Sequence, residues 1–188
     1  MNFWIKVIVI FSISSCQFIN NDIFYNNSHA FKSSANLIIQ KGKSIEEFVL
    51  IEKNNSIQIW ESKDFNKVLV TLKGKIIEKH SNENDFAVRI KEADIENFYS
   101  DNYSYQSSIE YYFPNSGTLD AKTKISFIGV DVLDSSTNQK FKLYKEVITI
   151  KTIRKTLINF YWINDNGDVV KSIQTINPLL GPVTIFYK

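Results

Sequence analysis

Val147-Ile148-Thr149-Ile150-Lys151-Thr152-Ile153-Arg154-Lys155-Thr156-Leu157-Ile158-Asn159-Phe160-Tyr161-Trp162 is the stretch on which the fold class turns. Two readings compete over it. Ile150, Ile153, Leu157 and Phe160 recur at helical spacing and would share one helix face. Against this, Val147, Ile148, Thr149, Ile150, Thr152, Ile153, Thr156 and Ile158 are all β-branched. Such side chains are stiff at χ1, which disfavours a helix and suits a pleated surface. Their density decides for strand. Just downstream, Asn164-Asp165-Asn166-Gly167-Asp168 carries the Asn-Gly pair that favours a type I′ hairpin turn. Val169 to Ile176 then returns as a strand, Pro178 to Pro182 bends the chain, and Val183 to Tyr187 closes it.

Upstream the same pattern continues. Lys124 to Leu133 and Lys140 to Tyr144 flank a polar connection, Asp134 to Asn138. The apolar set of the first strand changes face between Phe127 and Ile128, which predicts a β-bulge near Gly129. Ser108 to Phe113 reads as a strand ended by Pro114 and Asn115-Ser116-Gly117. Phe86, Val88 and Ile90 alternate, as do Val68, Val70 and Leu72 before the turn Lys73-Gly74-Lys75. Phe48 to Glu52 and Ile57 to Trp60 flank Asn54-Asn55 as a hairpin. Lys91 to Tyr99 has helical spacing, and Ala35 to Gln40 fits a short strand or a helical turn equally. The expectation is one mainly-β domain over 35–188, an antiparallel β-sandwich or strongly curved sheet with at most one or two short helices.

The chain has 188 residues, 22 Lys plus Arg against 20 Asp plus Glu, and a single cysteine. So even a balance offers nucleic acid no clustered basic face, and none is expected as a partner. Without a second cysteine the domain has no disulfide and must rely on its core. The 14 Phe, 9 Tyr and 3 Trp supply the material for one.

That cysteine ends a distinct segment. Phe3-Trp4-Ile5 and Val7 to Ile13 form an apolar run interrupted by Lys6 and Ser12. It is too short to span a bilayer, which takes about 20 apolar residues, but has the length of a signal-peptide core followed by small residues. Ile13-Ser14-Ser15-Cys16 resembles the lipobox of bacterial lipoproteins: an aliphatic residue, two small ones and the cysteine. The resemblance is confined to this segment. It implies a signal peptide over 1–15, removed before Cys16, with the Cys16 sulfur carrying diacylglycerol, its amino group acylated, and 16–34 serving as a tether. It further implies anchoring to a bacterial envelope membrane. Gln17 stands where an Asp would retain the protein at the inner membrane, so the outer membrane, facing the periplasm, is expected. The plain alternatives are a secretory leader with a chance cysteine and an uncleaved N-terminal hydrophobic tail.

No residue pattern names a reaction. His29 and His80 stand apart and in no metal-ligand spacing, and no G-x-S-x-G elbow, P-loop or dinucleotide fingerprint occurs. Asp165, Asn166 and Asp168 offer oxygens, yet too few for calcium, and the turn already accounts for Asn166-Gly167. No cofactor is expected. The densest feature is aromatic: Phe98, Tyr99, Tyr103, Tyr105 and Tyr111, interleaved with Glu96, Asp101, Asn102 and Glu110. Exposed, these rings would form a recognition surface for a protein or for sugar rings. The plainer reading packs them in and over the core. The function expected is a non-catalytic, membrane-tethered binding or assembly module with a protein partner in the envelope. The alternatives are a carrier of a lipid or other apolar ligand in a β cavity, an immunity protein against a secreted toxin, and last a hydrolase.

Overall fold

The computed structural model describes residues 35–64, 66–82, 85–113, 116–133, 138–178 and 180–188. The expected signal segment, Cys16 and the tether lie outside them, as do His29, Pro114 and most of the connection 134–138.

The branched stretch forms two strands, not one. Strand β9 (Lys140–Ile150) runs to a turn at 151–154, and β10 (Lys155–Ile163) returns antiparallel to it, Lys155 opposite Ile150. Their partners are β1 (Asn36–Lys41), β2 (Ser44–Asn54), β3 (Ile57–Ser62), β4 (Lys67–Leu72), β5 (Lys75–Ser81), β6 (Asp85–Ile90), β7 (Tyr103–Phe113), β8 (Gly117–Val132), β11 (Val169–Gln174) and β12 (Val183–Tyr187). One five-residue helix, α1 (Glu92–Glu96), joins β6 to β7. The strands follow one another as antiparallel neighbours, and β1 pairs with both β2 and β12, Leu37 facing Phe48 on one side and Tyr187 on the other. The sheet thus closes into a twelve-stranded barrel. Of the two expectations, the curved sheet is right and carried to closure; the sandwich is not formed. Closure also removes every edge strand.

Curvature is supplied by register shifts at Leu50/Glu52, Val70/Thr71, Asp85/Phe86, Phe127/Gly129 and Trp162/Ile163. Each adds a residue to one strand and bends it. The expected bulge at Gly129 is present, with φ +143. The expected type I′ turn is not. Of its Asn-Gly pair only Gly167 has positive φ, and Gly167 N–H donates to the Asn164 carbonyl at 3.1 Å, making a turn with a left-handed glycine at its end.

Inward positions alternate as a period of two requires. Leu37, Phe48, Trp60, Leu69, Phe86 and Ile185 pack on the side of β1 to β6 and β12, and Ile109, Ala121, Ile148, Ile150 and Leu157 on the opposite wall. Each such Phe, Leu or Ile contributes roughly 1.5–3 kcal/mol by burial. The outward positions of β8 are instead Asp120, Lys122 and Lys124, all exposed. Among the described residues no helix is long and apolar enough to cross a membrane.

The two rims differ. One carries α1, the start of β1 and the end of β12. The other carries the turns after β1, β3, β5, β7, β9 and the 175–182 connection.

Candidate functional site

The helix rim is closed by its own side chains. The turn Lys73-Gly74 folds in close to β11: a Cβ on Gly74 would stand 2.6 Å from Val169 Cβ, so only glycine fits there, at φ +78. The Tyr99 hydroxyl donates to the Lys73 carbonyl at 2.5 Å, and the Tyr187 hydroxyl and Gln174 Nε2 donate to the Gly74 carbonyl at 2.5 and 2.7 Å. Ile76 N–H in turn donates to Gln174 Oε1 at 3.0 Å.

Beneath this lid lies an ion pair. Glu146 alternates with the apolar Ile148 and Ile150 on β9 and so points inward. Lys75, the first residue of β5, donates from Nζ to Glu146 Oε1 at 2.5 Å, and both side chains are buried. Tyr105 donates to the same oxygen at 3.1 Å; Asn159 Nδ2 and the Tyr161 hydroxyl, both from β10, donate to Oε2 at 2.7 Å each. Lys75 Nζ also stands 5.7 Å from the ring centres of Phe98 and Tyr105. Burial alone would raise the Glu146 pKa, but the Lys75 charge and the hydrogen bonds outweigh it and hold the carboxyl below its usual range. Burial, reinforced by the Glu146 charge, pushes the Tyr161 and Tyr105 hydroxyls far above theirs. Both carboxylate oxygens are occupied and the tyrosines stay neutral, so the arrangement locks β5, β7, β9 and β10 together and leaves Glu146 unavailable as a base.

The opposite rim is open. A cleft of about 170 Å³ there is floored by Ile39, Phe48, Leu69, Phe86 and Val183 and bordered by Lys41, Lys67, Lys79 and Glu46. Lys67 Nζ pairs with Glu46 Oε1 at 3.0 Å. The 175–182 connection supplies one wall through Ile176, Leu180 and Gly181. A smaller cavity of about 30 Å³ lies deeper, against Lys75, Asn159 and Gln174, and shares Phe86 and Ile176 with the cleft. An apolar cavity of about 150 Å³ is enough to hold benzene. The cleft therefore admits one ring or the end of one alkyl chain. Neither of these two cavities is large enough to enclose a lipid whole.

Of the predicted aromatic set, Phe98 and Tyr105 are buried and Tyr99, Tyr103 and Tyr111 are half-buried. Phe98 and Tyr105 are 0% and 4% exposed and pack with Ile125. Tyr99 lies edge-on to Phe98 and against Tyr144 and Tyr161. Tyr103 stacks on Tyr105, its hydroxyl donating to Asp94 at 2.6 Å. Tyr111 packs beside Ile109 and Val88, on the far wall. The rings face inward because Tyr103, Tyr105, Ile109 and Tyr111 mostly share the inner register of β7, while the segment after α1 tucks Phe98 under them. The exposed apolar strip lies elsewhere, at Phe127, Ile128, Val130 and Val132, where the Gly129 bulge turns consecutive apolar residues outward.

His80 sits outside the barrel, Nε2 3.4 Å from Glu78 and Nδ1 3.9 Å from Asp85. The hydrogen bond to Glu78 raises its pKa. Among the described residues no group of His, Cys, Asp and Glu has the arrangement of a metal site. Sequence reading missed Lys75, Glu146 and the cleft. The one signal available was an acid in the apolar register of β9.

Comparison with known proteins places these features. None of the curated proteins matches the sequence. The chain shares its fold with a solved structure, the hypothetical lipoprotein YmcC from Escherichia coli K12, at a TM-score of 0.70 and 19% identity, over 82% of this chain and 86% of that one. The family model described as "Group 4 capsule polysaccharide lipoprotein gfcB, YjbF" matches residues 29–187, which contain every strand of the barrel. This chain belongs to the YjbF family of group 4 capsule polysaccharide lipoproteins and is, as such, a β-structured lipoprotein of the cell envelope.

Proposed function

We propose that this protein is a lipid-anchored, non-catalytic module of the capsule polysaccharide machinery, held by Cys16 to the periplasmic face of the outer membrane, that binds a component of that machinery at the open rim of its barrel. The rim cleft is the observation that carries the reading: there the apolar interior meets solvent beside Lys41, Lys67, Lys79 and Glu46. Family membership supports the capsule context, and the lipobox resemblance with Gln17 supports the anchor and its membrane. Two or three acyl chains make such an anchor effectively permanent, since each buried methylene adds about 0.8 kcal/mol. Saturation of Glu146 by four donors favours binding over catalysis. A protein partner in the envelope completes the proposal.

The test is complementation of a strain lacking this gene, reading surface capsule and membrane partition together. Cys16→Ser is expected to lose palmitate labelling, leave the membrane fraction and fail to restore capsule. Gly181→Phe is expected to stay in the membrane and still fail, because Gly181 borders the cleft with open space where a side chain would begin. Full rescue by Gly181→Phe would refute the cleft as the working site, and unchanged partition of Cys16→Ser would refute the anchor.

A further inference from the structure

One hairpin outgrows its neighbours. Strand β7 begins opposite Ile125 of β8, and β10 ends opposite Lys142 of β9. Strands β8 and β9 stay paired beyond both, as far as Val132 and Lys140, so the end of this hairpin extends past β7 and β10 at the helix rim. Along it Phe127, Ile128, Val130 and Val132 are all exposed. So dense a run of exposed apolar side chains marks a contact surface, whereas single scattered ones need no explanation. Opposite Val130 and Val132 stand Lys142 and Lys140, both exposed and in no ion pair among the described residues. The nearby acids are engaged. Asp131 accepts from Trp162 Nε1 and from the Val132 N–H, each at 2.8 Å, and Asp101 accepts from the Phe127 N–H at 3.1 Å. Apolar side chains flanked by lysines are the combination that holds amphipathic helices in a lipid interface, carbons among acyl chains and ammonium groups beside phosphates.

The course of the chain brings a bilayer to this end of the barrel. Strand β1 starts at the same rim, where the Asn36 N–H donates to the Lys188 carbonyl at 2.8 Å. Cys16 precedes it by the stretch 17–34, which spans at most about 65 Å. With Cys16 anchored, contact between hairpin and bilayer is intramolecular, and a patch too small to hold a protein by itself then suffices. We infer that the end of the β8–β9 hairpin docks on the phospholipid bilayer that holds Cys16, with Phe127, Ile128, Val130 and Val132 among the acyl chains and Lys140 and Lys142 at the phosphates. This rests on the Cys16 anchor and adds an orientation to it. Glu92, Asp94 and Glu96 of α1 share the rim and are repelled by phosphate, so the hairpin end makes the contact and not the rim as a whole. The cleft, at the other end of the strands, then faces away from the bilayer, open to a partner.

The acylated protein is reconstituted in vesicles of phosphatidylethanolamine and phosphatidylglycerol and labelled with bimane at one introduced cysteine, Val130→Cys or Ile45→Cys. Acylation leaves Cys16 unreactive. Val130 and Ile45 are 59% and 61% exposed at opposite rims and so form a matched pair. The Val130 label is expected to shift to the blue and to lose about half or more of its emission when the acyl chains carry bromine, and the Ile45 label to do neither. Ile128→Asp with Val132→Asp, and separately Lys140→Glu with Lys142→Glu, are expected to return the Val130 label toward water. All four residues are exposed, and circular dichroism checks that the barrel is intact. Flotation with the vesicles reads the anchor separately. A protein that floats while its Val130 label is as wet as its Ile45 label, or is indifferent to either pair of substitutions, would overturn the docking and leave the anchor standing. A blue shift without bromine quenching would overturn the bilayer in favour of a protein surface, a second copy included. Failure to float would overturn docking and anchor together.

Discussion

Replacing Glu146 by glutamine keeps the shape of the side chain and removes its charge, which isolates what the ion pair contributes. In the native barrel Oε1 accepts from Lys75 and Tyr105, and Oε2 from Asn159 and Tyr161. A glutamine has one acceptor oxygen and one NH₂ group. If its oxygen faces Lys75, its NH₂ meets Asn159 Nδ2, donor against donor. Asn159 resists turning over because its Oδ1 holds the Thr175 N–H at 2.8 Å. If the amide is reversed, the NH₂ meets the Lys75 ammonium instead. Either way a buried donor is left facing a donor, and the ammonium loses its counter-charge. Breaking one partner of a buried pair costs about 3–5 kcal/mol, a large share of the roughly 5–15 kcal/mol by which domains are stable. For a domain of this size that is a fall in Tm of about 6–20 °C.

The assay is thermal and urea unfolding of the full chain followed by circular dichroism, with Lys75→Met and the double substitution completing a cycle. The double variant is expected to lose less than the sum of the two single losses, because it leaves no uncompensated charge inside. Acid adds an independent signature. Glu146 has a depressed folded pKa, so its contribution is present above the unfolded value near 4.5 and is lost as pH falls through the lower folded value. Below about pH 4.5 the native barrel should therefore lose stability more steeply than Glu146→Gln. An E146Q barrel as stable as the native one at pH 7, or single losses that simply add, would refute the ion pair as the fastening of the interior.

Gly74→Ala and Gly42→Ala form a second, matched test. Both glycines have positive φ, but a Cβ at Gly74 would stand 2.6 Å from Val169 whereas Gly42 faces open space. Gly42→Ala should cost only the backbone strain of about 1–2 kcal/mol, and Gly74→Ala about 1–3 kcal/mol more from overpacking; equal losses in urea unfolding would contradict the close approach. Arg154, exposed in the turn between β9 and β10, has φ +51. Arg154→Gly should raise stability by about 0.5–1 kcal/mol, the relieved strain less the entropy a glycine brings to the unfolded chain, and a loss on the same measurement would count against a strained turn.

What the sequence disclosed and what it hid follow from the range of the interactions involved. Alternation at Val68, Val70 and Leu72 acts locally and places β4, and the branched residues from Val147 to Ile158 give the strand class but not the turn at 151–154 that divides them between β9 and β10. Residues 36–41 were ambiguous because nothing in them decides; pairing with β2 and β12, from opposite ends of the chain, makes them a strand. That same pairing closes the barrel, and no local pattern announces it. The Asn-Gly turn failed for a smaller reason: the loop is longer than the two-residue form, so Asn166 does not take the left-handed conformation. Tyr99, Tyr103 and Tyr105 fit a surface and a core reading alike because polar residues separate them. Those polar residues occupy the outward positions of the same segment, so the pattern of a half-buried strand and that of a recognition loop coincide. Lys75 sat in what reads as a turn, and its partner Glu146 lies 71 residues away. A pair that distant shows itself only once the barrel is closed.

The fastening and the cleft also explain each other. A barrel of twelve strands encloses more volume than ordinary side chains fill from the wall, since diameter grows with strand number. Here the helix rim solves this by sending inward the turn at Lys73-Gly74, the ring of Phe98 and the long polar side chains Lys75, Glu146 and Gln174, which must then satisfy one another. None of these reaches the far rim, so the apolar wall there lacks a filler, and the cleft is the remainder. Its depth is set by the same groups. An alkyl chain descending past Phe86 and Ile176 meets Lys75, Asn159 and Gln174. There each further methylene would gain about 0.8 kcal/mol but crowd polar groups whose loss of partners costs about 1–3 kcal/mol. The second magnitude exceeds the first, so these polar groups act as a stop, and the network that fastens the barrel is also what keeps the cleft short.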